Sequence, residues 1–237
     1  MTAILERARS ARTRARRWLL PVAFAAFVAT AGAAFAGLPG GLDVDPRLLV
    51  ASTLLVCPLS TAANAAEFAA TAHALGRRVP PTEALRVAVL SSAANLLPLP
   101  GAVAVRTAQL RGAAGTKRAL AVTAAAGICW LGTALLAADL AAAGVVLAAA
   151  GAAVVVAAGV VVHRNAARPS AWWWIWACEV GQVAVGAVRL GLAVAALGVD
   201  VDVRQSLGLA VAPVAGSAVG VLPGGRGVRE GIAAGIA

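Results

Sequence analysis

The stretch KRALAVTAAAGICWLGTALLAAD, residues 117–139, holds two basic residues, then twenty residues without a charge, then one acid. At about 1.5 Å per residue, those twenty residues make a helix of about 30 Å, the thickness of a bilayer's hydrocarbon core. The same pattern recurs on both sides. Apolar runs cover about 18–38, 48–75, 141–162 and 171–197, each bounded by charged residues. Only 13% of the chain is charged and its mean hydropathy is +0.86, whereas a soluble domain is about a quarter charged. A β-barrel would need short alternating segments, and these runs are continuous. The sequence therefore predicts an all-α, polytopic helical membrane protein with about five full spans.

The charges orient the spans. Arg7, Arg9, Arg12, Arg14, Arg16 and Arg17 form a basic arm over 1–17. Such an arm can bind nucleic acid, but beside a span it reads as a cytoplasmic anchor against anionic headgroups. Basic residues followed by an apolar run also fit a signal peptide. The run from 18 to 38 is long enough to cross, however, and is read as a span. Alternation then places Arg77, Arg78, Lys117, Arg118, Arg164 and Arg168 on the N-terminal side, and Asp43, Asp45, Asp139, Asp200 and Asp202 on the other. The reading is a multi-pass protein of the cell membrane, N-terminus inside, with one transmembrane domain over 18–237. Trp172, Trp173, Trp174 and Trp176 fall at the inner interface, as an aromatic belt would.

Two regions break the pattern. Over 80–114, Pro80-Pro81-Thr82 opens a short apolar arm with Thr82 as its cap, Pro98, Pro100 and Gly101 interrupt it, and a second arm resumes to Gly112. Each arm is too short to cross. The reading is a re-entrant hairpin, against the alternative of an amphipathic surface segment. Over 203–237 the theme returns, broken by Pro213 and then by Pro223, Gly224 and Gly225, with Gly227 beyond them. A shift of 123 residues lays Leu99, Pro100, Gly101, Val105 and Arg106 on Leu222, Pro223, Gly224, Val228 and Arg229. The repeat units are about 48–114 and 171–237. Three spans separate the hairpins, so the second enters from the opposite face, the inverted repeat of many transporters.

A charge in the hydrocarbon costs about 3 kcal/mol or more unless it is paired or hydrated. Arg106 and Arg229 each follow a Pro-Gly break and stand near the start of a half-helix, where helix dipole and guanidinium together suit a phosphate. They are the candidate lipid-phosphate contacts. The alternative is that each snorkels or pairs with a carboxylate such as Glu67 or Glu230. Asn64 and Glu67 share a helix face and could line a polar path or pair with Arg189. Glu179 and Arg189 are further intramembrane charges. Cys57, Cys129 and Cys178 lack metal or disulfide spacing and read as small buried side chains. His73 and His163 read as interfacial. No metal or cofactor is expected.

PGGRGVRE at 223–230, with NLLPLPGAVAVR at 95–106, resembles the flippase-like transmembrane region of the lysylphosphatidylglycerol synthase family, over about 15–237. The resemblance implies movement of a lipid between leaflets. Its motifs would be Pro98 and Arg106 in the first hairpin, and Pro223, Gly224, Gly225, Gly227 and Glu230 in the second. The chain departs from the family at Ala102 and Val103, where a Gly-Glu pair is common, and at Arg226, where a small apolar residue is usual. Family members continue through further spans, so the chain reads as a truncated or divergent member. The soluble aminoacyltransferase domain is absent, and no nucleophile–base pair replaces it, so no enzyme is expected. Three functions follow: translocation of an anionic phospholipid or lipid-linked substrate, proton- or ion-coupled carriage of a small solute through Glu67 or Glu179, or a non-transporting scaffold. The assigned orientation is checked with a reporter active only outside the cytoplasm. It should be active when fused after Asp139 or Asp202, and silent after Arg78 or Arg168; the reverse pattern would overturn the orientation.

Overall fold

The computed structural model describes residues 44–95, 101–142 and 145–210, with the side chains of 140–142 left aside. The described residues all belong to one compact unit. The basic arm, the span expected over 18–38, Pro98 and Pro100, and the second hairpin from 211 onward lie outside the described residues. So do Pro223, Gly224, Gly225, Gly227, Arg229 and Glu230.

Six helices carry the described fold: α1 Pro46–Ala74, α2 Pro81–Ala94, α3 Gly101–Ala114, α4 Thr116–Ala142, α5 Val146–Asn165 and α6 Trp172–Ala195. Residues 203–210 are also helical, and no strand occurs among the described residues. Four helical segments are long and apolar enough to cross a membrane: Pro46–Ala74, Thr116–Asp139, Val146–Asn165 and Pro169–Ala195. They match the four expected spans that can be compared. The protein is an all-α polytopic membrane protein.

Local chemistry sets the helix limits. Asp45 caps α1 by accepting from the Arg47 amide at 2.8 Å, with Pro46 in the first turn. Within α1, Ser52–Val56 widens into a π-helical turn just before Pro58. Proline has no N–H to return to the preceding turn, and a π-turn is one way a helix absorbs that loss. α2 begins at Pro81, not at Thr82; Pro80 is its cap and no side chain caps it. Proline's fixed φ suits the first helical position, where its missing N–H costs nothing. α5 starts at Val146, five residues later than the apolar run suggests.

Arms α2 and α3, each 14 residues, are about 21 Å long and too short to cross. They form an antiparallel hairpin. Arg77, at the foot of α2, donates to the Gln109 carbonyl near the end of α3 at 2.7 Å and pairs with Glu83 at 2.5 Å. Across the break, the Asn95 side-chain oxygen accepts from the Ala102 amide at 3.0 Å. Gly101 is required there. A Cβ would sit 2.2 Å from the Ala94 carbonyl oxygen.

The helices close a ring. α1 packs on α2, α2 on α3, α3 on α4, α4 on α6, and α6 back on α1, while α5 lies against the outside of α4. Phe68, Val87, Leu110, Val122 and Ile175, one from each ring helix, are buried in the shared core. α1 and α6 run antiparallel. The Asp45 amide bonds the Ala196 carbonyl at one end, and the Arg168 amide bonds the Ala74 carbonyl at the other.

Tight packing of α4 on α5 depends on paired glycines. A Cβ on Gly132 would come within 2.9 Å of the Gly151 carbonyl oxygen, and one on Gly151 within 2.7 Å of the Gly132 carbonyl oxygen. Small residues permit such approaches between membrane helices. Gly151→Leu should cost about 1–3 kcal/mol through overpacking, read as a lowered melting temperature in detergent. Gly127→Leu, where a Cβ meets nothing, should leave the melting temperature unchanged.

Candidate functional site

Polar side chains that could not be placed against lipid turn into the ring. On α1, Asn64, Glu67 and Thr71 follow one another at spacings of three and four residues, so they form one stripe. Glu67 is 2% exposed and Thr71 1%. On α3, the Arg106 guanidinium reaches across to α1. It pairs with the Glu67 carboxylate, and its Nη2 donates to the Asn64 side-chain oxygen at 3.4 Å. On α6, Glu179 is 2% exposed and accepts from Gln182 at 3.1 Å. Glu179 lies within electrostatic reach of both Glu67 and Arg106. Cys129 of α4 and Cys178 of α6 lie in the field of both carboxylates.

These groups share a depth. Glu67 stands seven residues before the end of α1, Arg106 eight before the end of α3, and Glu179 seven after the start of α6. Each is therefore about 10–12 Å along its helix axis from the same end of the ring. That end is strongly basic. It carries Arg77, Arg78, Arg86, Arg111, Lys117, Arg118, Arg164 and Arg168, with Glu83 as its acid and Arg168 against the His73 ring at 3.2 Å. The opposite end holds Asp45, Asp139, Asp200 and Asp202 together with Arg47 and Arg204.

Arg106 has a partner inside the ring. Its guanidinium is engaged by Glu67, one of the carboxylates considered for it. Glu67 does not pair with Arg189, which is half-buried on α6 about 15 Å along the axis from Glu179 and makes no ion pair among the described residues. One side of the Arg106 group remains open: its Nε is buried without a partner. The cluster thus holds two carboxylates and one guanidinium, with an unused donor.

Other expectations fare unevenly. Cys129 is buried, but Cys57 is exposed on α1 and Cys178 is half-buried. Trp173 and Trp174 are exposed at 65% and 68%, as an interfacial belt requires, whereas Trp172 packs on Gly159 of α5. Asp139 is 7% exposed at the end of α4, with one carboxylate oxygen unpartnered. Gln182 and Thr71 were missed as members of the cluster. Their signal was present, since each follows a buried glutamate at a helical spacing of three or four. No family model matches the chain, and it matches neither a curated protein nor a solved structure.

Removing one partner of a buried pair strands the other charge, at about 3–5 kcal/mol, while removing both is much cheaper. Arg106→Gln should therefore destabilise the protein in detergent more than Arg106→Gln combined with Glu67→Gln. A double variant less stable than the single would show that the pair is not the controlling interaction.

Proposed function

We propose that the protein is a flippase-like membrane transport protein that binds an anionic phospholipid or lipid-linked substrate and moves it between leaflets. The observation that carries this reading is the Arg106–Glu67 pair inside the ring, with the Arg106 Nε unpartnered. A buried ion pair is a poor way to stabilise a helix bundle, because desolvation consumes most of the attraction. Ionisable groups at membrane depth more often mark a substrate or ion pathway. In this reading Glu67 is an internal counter-ion that holds Arg106 between turnovers, and a lipid phosphate takes its place. A planar guanidinium suits that exchange, since carboxylate and phosphate offer it similar bidentate oxygens.

The resemblance of the two Pro-Gly motifs to the lysylphosphatidylglycerol synthase transmembrane region supports the choice of a lipid. Arg229 would be the second phosphate contact. By the positive-inside rule, the basic end of the ring faces the cytoplasm of a bacterial cell membrane. No catalytic step or cofactor forms part of this reading.

A second reading has its own observation. Two buried carboxylates, Glu67 paired with Arg106 and Glu179 within its field, suit a proton- or ion-coupled solute carrier. Reconstitution separates the two. Proteoliposomes carrying a fluorescent phosphatidylglycerol should show protein-dependent exchange between leaflets that falls tenfold or more in Arg106→Gln, roughly the loss of one charge-assisted contact. Wild-type exchange by Arg106→Gln would sink lipid translocation through this site. Solute uptake that needs a proton gradient and stops in Glu179→Gln would favour the carrier. Indifference to all these changes would leave a scaffold.

A further inference from the structure

A groove of about 310 Å³ runs along the outside of the ring where α3 meets α4, lined by Val103, Ala104, Thr107, Ala108, Arg111, Thr116 and Leu120. The first five lie on one stripe of α3, and the last two on the opening turns of α4. We infer that this groove seats one anionic phospholipid, its acyl chain along Val103, Ala104, Ala108 and Leu120, and its phosphate between Arg111 and the first turn of α4. The inference rests on the lipid reading above and adds a second place where the same class of lipid is held.

Three observations support it. The groove is apolar along its length and basic at its mouth. Arg111 lines it, and Lys117 and Arg118 flank it on the first turn of α4, all three exposed. Among the described residues, none of these cations has a side-chain partner. Next, α4 is a long helix whose opening amides, at Thr116, Lys117 and Arg118, precede its first backbone bond, from the Ala119 amide to the Gly115 carbonyl. Unused amides and the positive end of the helix dipole favour an anion. Finally, Thr107 lines the groove at 8% exposure, and its hydroxyl has no hydrogen-bond partner. A buried, unsatisfied hydroxyl is costly in a low-dielectric setting, and an ester or phosphate oxygen in the groove could relieve it.

The charge pattern favours a lipid over free phosphate. A soluble anion gains nothing from the apolar stripe, whereas a phospholipid uses both ends of the groove at once. Arg106 and Thr107 are neighbours on α3, so a lipid here would lie one helix wall from the central pair.

The test is native mass spectrometry of the full chain after exchange into nanodiscs of phosphatidylcholine with phosphatidylglycerol. The wild type should retain phosphatidylglycerol in preference to phosphatidylcholine, and added inorganic phosphate should not displace it. Arg111→Gln with Lys117→Gln should weaken retention by about tenfold or more, the loss of charge-assisted contacts. Ala108→Trp, which fills the groove without touching a charge, should do the same while the protein elutes as a folded species. Equal retention of both lipids, displacement by phosphate, or full retention in Ala108→Trp would overturn the groove as the seat. Loss in Arg106→Gln alone, with the groove variants unaffected, would also overturn it while leaving the central site standing. Loss in the groove variants alone supports the groove even if Arg106 proves to have no part in translocation.

Discussion

The contact around which the described ring is arranged is the ion pair between Glu67 and Arg106. Each charge can sit inside the ring only because the other is there to meet it. Arg106 belongs to a short arm that packs on α2 and α4, and its side chain reaches past the apolar interior to α1. That reach fixes the rotation of α3. It points Leu110, one turn further along, into the core. It also leaves the opposite stripe, from Ala104 to Arg111, on the outside beside α4. The same rotation of α3 places the pair inside the ring and the groove outside it.

Backbone requirements shape the rest. In a membrane, every N–H and C=O must find a partner, which is why the described chain there is helical throughout. Its exceptions are handled locally. The π-turn at Ser52–Val56 absorbs Pro58, and the Asn95 side chain takes up an amide at the start of α3. Alanine and glycine let helices approach where bulkier residues would hold them apart, as Gly132 and Gly151 do for α4 and α5. Much of the composition is therefore packing material. The chemistry is confined to the few side chains turned inward and to the basic end of the ring.

In the proposed lipid reading, those two places serve one cargo. A phospholipid would meet the protein first through its headgroup, and a cationic end with an apolar groove behind it matches that polarity. A guanidinium two helical turns deeper, already balanced by a carboxylate, can accept a phosphate without a bare charge being created in the hydrocarbon. Glu179 beside the pair gives the same site an excess of acid, which is the feature a coupled carrier would use. The two readings differ in which member of the cluster the cargo touches.

Much of the architecture was legible in the chain itself. The four described spans and the charge difference between the two ends follow from the length of uncharged runs and the placement of arginines. Solvation energies alone dictate these, so no partner segment need be known. The interruption at Pro98–Gly101 and the shortness of its arms were readable for the same local reasons, as were Asn64, Glu67, Arg106 and Glu179 as charged or polar groups at depth. The helix starts at Pro81 and Val146 were misplaced, because neither helix opens on a side-chain cap that would mark its first turn in the sequence. What no local rule supplied was who meets whom. That Arg106 joins Glu67, that Glu67 does not pair with Arg189, that Gln182 and Cys129 border the same site, and that Thr107 and Arg111 open onto a groove all depend on how five helices are rotated about their axes. That rotation is set by packing between segments far apart in sequence, and only the folded ring resolves it.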